Sequence, residues 1–437
     1  MNVLHLNASS SDGGAARAAW RVHEALNRHA DALGWSSSFR AMSGVLRGVG
    51  CQVGAAERES ALWRRLRPRL TQYRKRGWST SNPALHSIAW PGTGLGAELN
   101  AAFQRGEFDL LNLHWLGDST LSIEEIGRLS CPVVWTLHDQ WAFSGSEHYA
   151  PLPVDGFSGV VDHERFVSGY TRRSCPSTEH AFDLNRQTWL RKFKAWKSPV
   201  SLICPSQWMA DCVDRSALMG EWPRWVIPNP LDLQRWAPLD QATARDVLGL
   251  PCDVPLVLFG AMGGTADPRK GSDCLLEALE QLAAAANTWQ AKPRLVIFGE
   301  SQPEHPLAVG LPVHYLGHLH DDVSLRLAYA AADLMVVPSR LDNLPNTATE
   351  AMACGTPVVA FRTGGLPEIV NDGVSGCLAE PFNATAMARC MESLLVNLEQ
   401  RQRMAHQARL QAERLWSSKR VANLYVEAYN KIVERHG

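Results

Sequence analysis

Two carboxylates stand with seven residues between them in the segment Ser339–Phe361, SRLDNLPNTATEAMACGTPVVAF. Asp342 falls in a loop and Glu350 on a short predicted helix. Gly355 and Pro357 stop that helix, and Val358–Phe361 begins a strand. Pro345 suits the first helical turn, with Asn343 or Asn346 as the cap. A helix start of this kind attracts anions, because its N–H donors and the helix dipole both favour negative charge. Glu350 lies one turn deeper, about 6 Å along the axis at ~1.5 Å per residue. A phosphate at the tip and sugar hydroxyls on the deeper carboxylate fit that spacing. An ordinary strand–helix unit with two surface carboxylates is the plainer alternative.

Three further groups carry chemistry. LVLFGAMGGTADPRKGSDCLLEAL reads as strand, glycine-rich loop and helix, with Arg269 and Lys270 just before Gly271. A lysine there can meet a diphosphate as a point charge. A surface basic pair in a turn is the alternative. VVWTLHDQWAFSG ends a buried strand at Leu137 and projects His138 and Asp139 from its carboxyl end. The imidazole could hydrogen-bond a sugar hydroxyl while the neighbouring carboxylate fixes its tautomer. Glu147 and His148 follow in SGSEHY as lesser candidates. The pair could also serve a hydrolase, but no G-x-S-x-G nucleophile elbow accompanies it. Near the N-terminus, NASSSDGGAARAAW places Gly13 and Gly14 in a loop before a helix from about Ala15. Its spacing is not the G-x-G-x-x-G dinucleotide fingerprint.

These groups need a scaffold that presents strand ends to a ligand. Short apolar runs alternate with helical stretches throughout, which predicts α/β architecture with parallel sheets. Predicted strands are Val3–Leu6, Leu110–Leu113, Val133–Leu137 and Val200–Ile203, then Leu256–Phe259, Leu295–Phe298, Val313–Leu316, Leu334–Val337 and Val358–Phe361. The chain's 437 residues suit two domains, and 45% hydrophobic content can fill two cores. Pro228 and Pro230 around Asn229 mark the boundary.

The formal net charge of −1 gives no global pull toward nucleic acid, and no nucleic-acid-binding module is present. Ten scattered cysteines without a C-x-x-C pair argue against a zinc ribbon or a disulfide framework. The N-terminus lacks a basic and long apolar leader, and no run of 18 apolar residues occurs, so a reducing cytoplasmic setting is the default. Two stretches are basic. ALWRRLRPRLTQYRKRGW, residues 61–78, holds Arg64, Arg65, Arg67, Arg69, Arg74, Lys75 and Arg76 with no acid. It suits an anionic membrane surface, although Pro68 argues against one continuous amphipathic helix. RQTWLRKFKAWK, with Arg191, Lys192, Lys194 and Lys197, reads better as a solvated face above a core helix.

The stretch EAMACGTPVVAF with its acidic pair resembles the signature of the retaining glycosyltransferases of family 4. That family has the GT-B fold, in which two Rossmann-like doubly wound domains face a central cleft. It usually has Glu at both ends, where this chain has Asp342 first. It commonly has Arg after the strand-end glycine, where Ala261 follows Gly260 and Arg269 is the substitute charge. The resemblance implies an acceptor-side domain over 1–228, a nucleotide-sugar domain over 229–415, and a helix over 416–437 crossing back to the first. It implies His138, Lys270, Asp342 and Glu350 as catalytic residues. Gly13, Gly14, Arg269 and Lys270 would meet the donor, as would Asn343, Leu344, Asn346, Thr347 and Glu350. The tryptophan-rich frame around His138 looks like the subgroup that builds bacterial surface polysaccharides, whose acceptor is a glycan or lipid-linked glycan. No Asp-x-Asp pair occurs, so no metal is expected; the resemblance implies a nucleoside diphosphate sugar as the donor. A sugar-nucleotide epimerase or hydrolase and a non-catalytic nucleotide-sugar scaffold are the open alternatives. In this setting the protein would be cytoplasmic, and could sit peripherally on the inner face of the cell membrane.

Overall fold

The computed structural model describes residues 1–11, 13–45, 48, 50–57, 59–76, 86–150, 165–175, 182–260, 267–304 and 307–436. These fall into two compact units, one from residues up to 230 plus 419–437, the other from 231–418.

In the first unit the strands are β1 (Asn2–Ser9), β2 (Ser36–Ser43), β3 (Cys51–Val53), β4 (Leu110–Leu113), β5 (Val133–Thr136), β6 (Ser201–Cys204) and β7 (Arg224–Val226). They form a parallel sheet in the order β3-β2-β1-β4-β5-β6-β7. The second unit holds β8 (Leu256–Gly260), β9 (Arg294–Phe298), β10 (Val313–Tyr315), β11 (Leu334–Val337), β12 (Val358–Phe361) and β13 (Gly376–Ala379). Its parallel order is β10-β9-β8-β11-β12-β13. In both sheets the winding direction reverses once, between β1 and β4 and between β8 and β11. Such a reversal opens a crevice at the carboxyl ends of the two strands.

The central strands β4, β5, β11 and β12 are buried at every position, as expected where helices cover both sheet faces. Four observed strands lie outside the expected set. β2 (SSSFRAMS) alternates exposed and buried residues, and β3 and β7 are three-residue edge strands. β13 (GCLA) contains a glycine whose Cβ would meet the Val358 carbonyl at 2.2 Å.

The final helix, Ser418–Glu434, belongs to the first unit from Lys419 onward. Tyr425 and Tyr429 sit in a cluster with Val3, Trp35, Leu110 and Val134. Asn112 Nδ2 donates to the Tyr429 hydroxyl at 2.7 Å, and Trp35 Nε1 donates to Asn430 Oδ1 at 2.9 Å.

Three details correct the sequence reading. One disulfide is present, joining Cys377 of β13 to Cys390 with a Cα–Cα distance of 5.8 Å. Pro68 lies inside a continuous helix, Ala61–Lys75. In the second basic stretch Lys192 is fully buried rather than solvated. Its ammonium donates to the carbonyls of Trp141, Ser144 and Gly145. Burial pushes its pKa well down, against the pull of the Glu147 carboxylate.

Candidate functional site

At the reversal in the second unit, β8 ends at Gly260, and Ala261 lies outside the described residues. The chain re-enters at a short 3₁₀ turn, Pro268–Lys270, capped by Asp267. Gly271 follows with φ +65°, and a Cβ there would stand 2.0 Å from the Pro338 carbonyl oxygen at the end of β11. Only glycine allows that approach, which presses Lys270 against the β11 edge. The Lys270 ammonium then reaches Asp342 Oδ2 at 2.6 Å, joining residues 72 positions apart. Both side chains are largely shielded, at 28% and 12% exposure. An ammonium has three N–H donors, so a single carboxylate leaves capacity for a second anion.

Asp342 is fixed from behind. Gly365 donates its N–H to the Asp342 carbonyl at 3.0 Å, and Gly364, at φ +55°, lies so close that a Cβ would meet that oxygen at 2.2 Å. This glycine pair is thus the floor under Asp342. Arg269 turns elsewhere. Its guanidinium holds Asp267 Oδ2 at 2.6 Å, so its charge is already matched.

The helix after Asp342 runs Asn346–Ala353, with Pro345 at the N-cap position instead of inside the first turn. The N-cap residue is thus Pro345 rather than Asn343 or Asn346, and it makes no side-chain hydrogen bond to this end. Pro345 supplies φ −62° and ψ 122°, an extended backbone that enters the helix directly. Asn343 and Leu344 are buried, Asn346 and Thr347 half-buried. Leu344 packs its side chain into the unit's core, so only its backbone is available to a ligand. Glu350 is 0% exposed, and the Tyr329 hydroxyl donates to its Oε2 at 2.8 Å.

In the first unit, the helix Gly13–Arg28 starts two residues earlier than expected, with Gly13 at φ +91° and Gly14 in its first turn. A pocket at the ends of β4 and β5 is lined by His114, Trp115, Trp135, His138, Asp139, Trp141 and His148. His138 does not use Asp139 to set its ring. Its Nε2 lies 2.9 Å from Nδ1 of His114. Asp139 instead holds His148 Nδ1 at 2.6 Å. Burial pushes the Asp139 carboxyl up, but His148 and the Trp141 N–H outweigh it, and its pKa ends below the usual range. Glu147 turns inward to the Tyr170 hydroxyl, and burial raises its pKa.

Ser87 Oγ stands 2.8 Å from His148 Nε2, which completes a Ser–His–Asp geometry. Ser87 is not part of the pocket lining, so this trio does not face the pocket through its hydroxyl. The three side chains form a polar strut. Among the described residues, no group of three His, Cys, Asp or Glu side chains is placed to hold a metal ion.

Comparison with known proteins agrees with this architecture. The family described as "Glycosyl transferases group 1" matches residues 256–397. D-inositol 3-phosphate glycosyltransferase from Streptomyces bingchenggensis is 33% identical over 360 residues, covering 77% of this chain and 71% of the relative. The protein of the same name from Xylanimonas cellulosilytica is 36% identical over 220 residues, 46% of this chain. The chain spans half, or less, of the length of several such curated relatives, for example 50% and 40%. Among solved structures, sucrose-phosphate synthase from Thermosynechococcus elongatus has a TM-score of 0.65 at 18% identity over 100% of both chains. HepE of Anabaena, in complex with UDP and glucose, has a TM-score of 0.65 at 17% identity over 98% of this chain and 99% of that one. The likeness shows that the two Rossmann-like units are those of the GT-B fold. With the family match and the long Streptomyces alignment, the chain belongs to the group 1 glycosyl transferase family.

Proposed function

We propose that this protein transfers a sugar from a nucleoside diphosphate sugar to a hydroxyl acceptor with retention of anomeric configuration. The observation that carries the proposal is the Lys270–Asp342 pair beside the start of the Asn346–Ala353 helix. Lys270 and the N–H groups of Leu344, Asn346 and Thr347 would stabilise charge on the departing diphosphate, Pro345 having no N–H to give. Donors fixed in advance are often the largest catalytic term, about 3 kcal/mol each. Asp342 would orient both the lysine and the donor sugar, and Glu350 would accept ribose hydroxyls. His138 would meet the sugar near the reacting carbon. The leaving phosphate would take the acceptor's proton.

The names of the relatives support glycosyl transfer, and a fold neighbour holding UDP and glucose supports a nucleotide-sugar donor. The pathway we favour is bacterial surface polysaccharide or glycoconjugate assembly, in the cytoplasm. The test incubates the protein with UDP, GDP and ADP sugars and hydroxyl acceptors. Released nucleoside diphosphate and the anomeric proton coupling of the product are read together. Inversion would overturn the retaining mechanism, and binding without turnover would favour a scaffold. Because Asp-x-Asp is missing, we expect EDTA to leave the transfer rate within about twofold of its value in added magnesium. A collapse restored by the metal would show a metal-held diphosphate instead.

The helix Ala61–Lys75 supports contact with an anionic membrane surface. Leu62, Leu66, Leu70 and Tyr73 are 69%, 37%, 36% and 71% exposed along one stripe. Arg64, Arg65 and Arg69 are exposed beside it. Arg67 takes no part, because it is buried against Glu59 at 2.9 Å, and Lys75 pairs with Asp118 at 2.6 Å. Arg64 also lies 3.9 Å from Glu59 Oε2 but stays exposed, and each exposed arginine near an anionic surface is worth about 1 kcal/mol. Replacing Arg64, Arg65 and Arg69 by Glu should therefore lower liposome binding at least a hundredfold, in a salt-sensitive way. Equal binding of wild type and triple variant to phosphatidylserine and phosphatidylcholine vesicles would retire the idea. Among the described residues, no helix is long and apolar enough to cross a membrane.

A further inference from the structure

Three histidines from three adjacent strands form one hydrogen-bonded line. His5 lies on β1, His114 directly after β4, and His138 just beyond β5. His5 Nδ1 is 2.8 Å from His114 Nε2, and His114 Nδ1 is 2.9 Å from His138 Nε2. The rings stack along the line, with centroids 5.1 and 5.2 Å apart. His5 and His114 are buried at 0% and 1% exposure, while His138 lines the pocket.

The groups facing this line favour neutral rings. His23 and Phe39 pack on His5, and His23 is itself bound to Ser37. Asp139 is the carboxylate acting on His138. Burial holds His5 and His114 well below the usual histidine range. It lowers His138 to about 4, with Asp139 opposing only in part.

A neutral imidazole has one N–H and one acceptor nitrogen. Three neutral rings joined by two hydrogen bonds therefore have only two arrangements, with all protons pointing one way or all the other. The far end decides between them. Nε2 of His5 is buried with no hydrogen-bond partner. One arrangement places an N–H there, and an orphaned buried N–H is rarer in folded proteins than an unsatisfied buried acceptor. The other leaves a bare lone pair at His5 and puts the last proton on Nδ1 of His138.

We propose that His5 and His114 are positioning residues that lock His138 as the neutral Nδ1–H tautomer. The His138 ring is then a hydrogen-bond donor through Nδ1 and cannot act as a base, because Nε2 is filled by the His114 proton. In the transfer reaction proposed above, on which only this consequence rests, His138 would donate to a ligand oxygen, and the acceptor's proton must go elsewhere.

The test is nitrogen NMR of the full chain labelled at histidine, without donor, with the His138 signals assigned from a His138→Gln sample. From pH 6 to 8, the wild type should show a protonated-type Nδ1 and a bare-type Nε2 for His138. A coupling through the hydrogen bond should link that Nε2 to His114 Nδ1. His114→Phe removes the donor, so His138 should move its proton wholly or partly to Nε2. His114→Gln can donate from its amide and should restore the wild-type pattern. Protonation at Nε2 in the wild type, averaging over both nitrogens, or an unchanged pattern in His114→Phe would overturn the proposal. If His114→Phe does not fold, the wild-type and His114→Gln spectra still decide. A failed transferase assay with the expected nitrogen pattern would sink only the enzymatic reading.

Discussion

Replacing Lys270 by alanine is expected to slow sugar transfer about 10²- to 10³-fold, the usual effect of deleting one fixed donor at a developing negative charge. The loss should fall mainly on kcat, since the charge it stabilises grows as the diphosphate departs. The fold should tolerate the change. Lys270 is 28% exposed and sits in a short turn whose own cap, Asp267, is untouched. It does leave Asp342 without its partner. Lys270→Arg controls for that, because it keeps the ion pair and displaces the charge. If Lys270→Ala lowered thermal stability in step with activity, the lysine would be structural. Intact kcat would remove it from the chemistry.

Replacing Glu350 by glutamine should weaken donor binding about tenfold or more, with little change in melting temperature. Hydrogen bonds to a charged acceptor are worth about 1.5–3 kcal/mol, and the amide keeps only part of that toward ribose hydroxyls. Glutamine is the informative substitution because the Tyr329 hydroxyl donates to Glu350 Oε2 at 2.8 Å, and an amide oxygen can still accept it. Alanine would leave that buried hydroxyl unsatisfied, at a cost of about 1–3 kcal/mol, and so mix stability with binding. An unchanged donor KM and nucleotide affinity in Glu350→Gln would leave Glu350 as a support for Tyr329 alone.

Local chemistry made the second unit readable. The Asp342–Glu350 spacing, the helix stop at Gly355 and the turn before Gly271 each lie within a few residues, where propensity and pattern have force. Both sheets were foreseeable from buried apolar runs. β3 and β7 were not, because three residues on an edge carry too little periodicity. The cap of the Asn346 helix was misread because two asparagines, Asn343 and Asn346, lie close to Pro345, which itself takes the N-cap position. Two long-range facts could not be seen at all. Lys270 meets Asp342 across 72 positions, and His5 meets His114 across 109. Both follow from parallel strands that bring distant residues to one carboxyl edge. Asp139 looked like the partner of His138 because it is adjacent in sequence. At a strand end, successive side chains point apart, and Asp139 faces His148 instead.

A crystal structure of the protein grown with a nucleoside diphosphate tests the central claim most directly. The account predicts the terminal phosphate within about 3 Å of Lys270 Nζ and of an amide between Leu344 and Thr347, as hydrogen bonding requires. A nucleotide bound elsewhere, with the Lys270–Asp342 pair and the start of the Asn346 helix untouched, would contradict it.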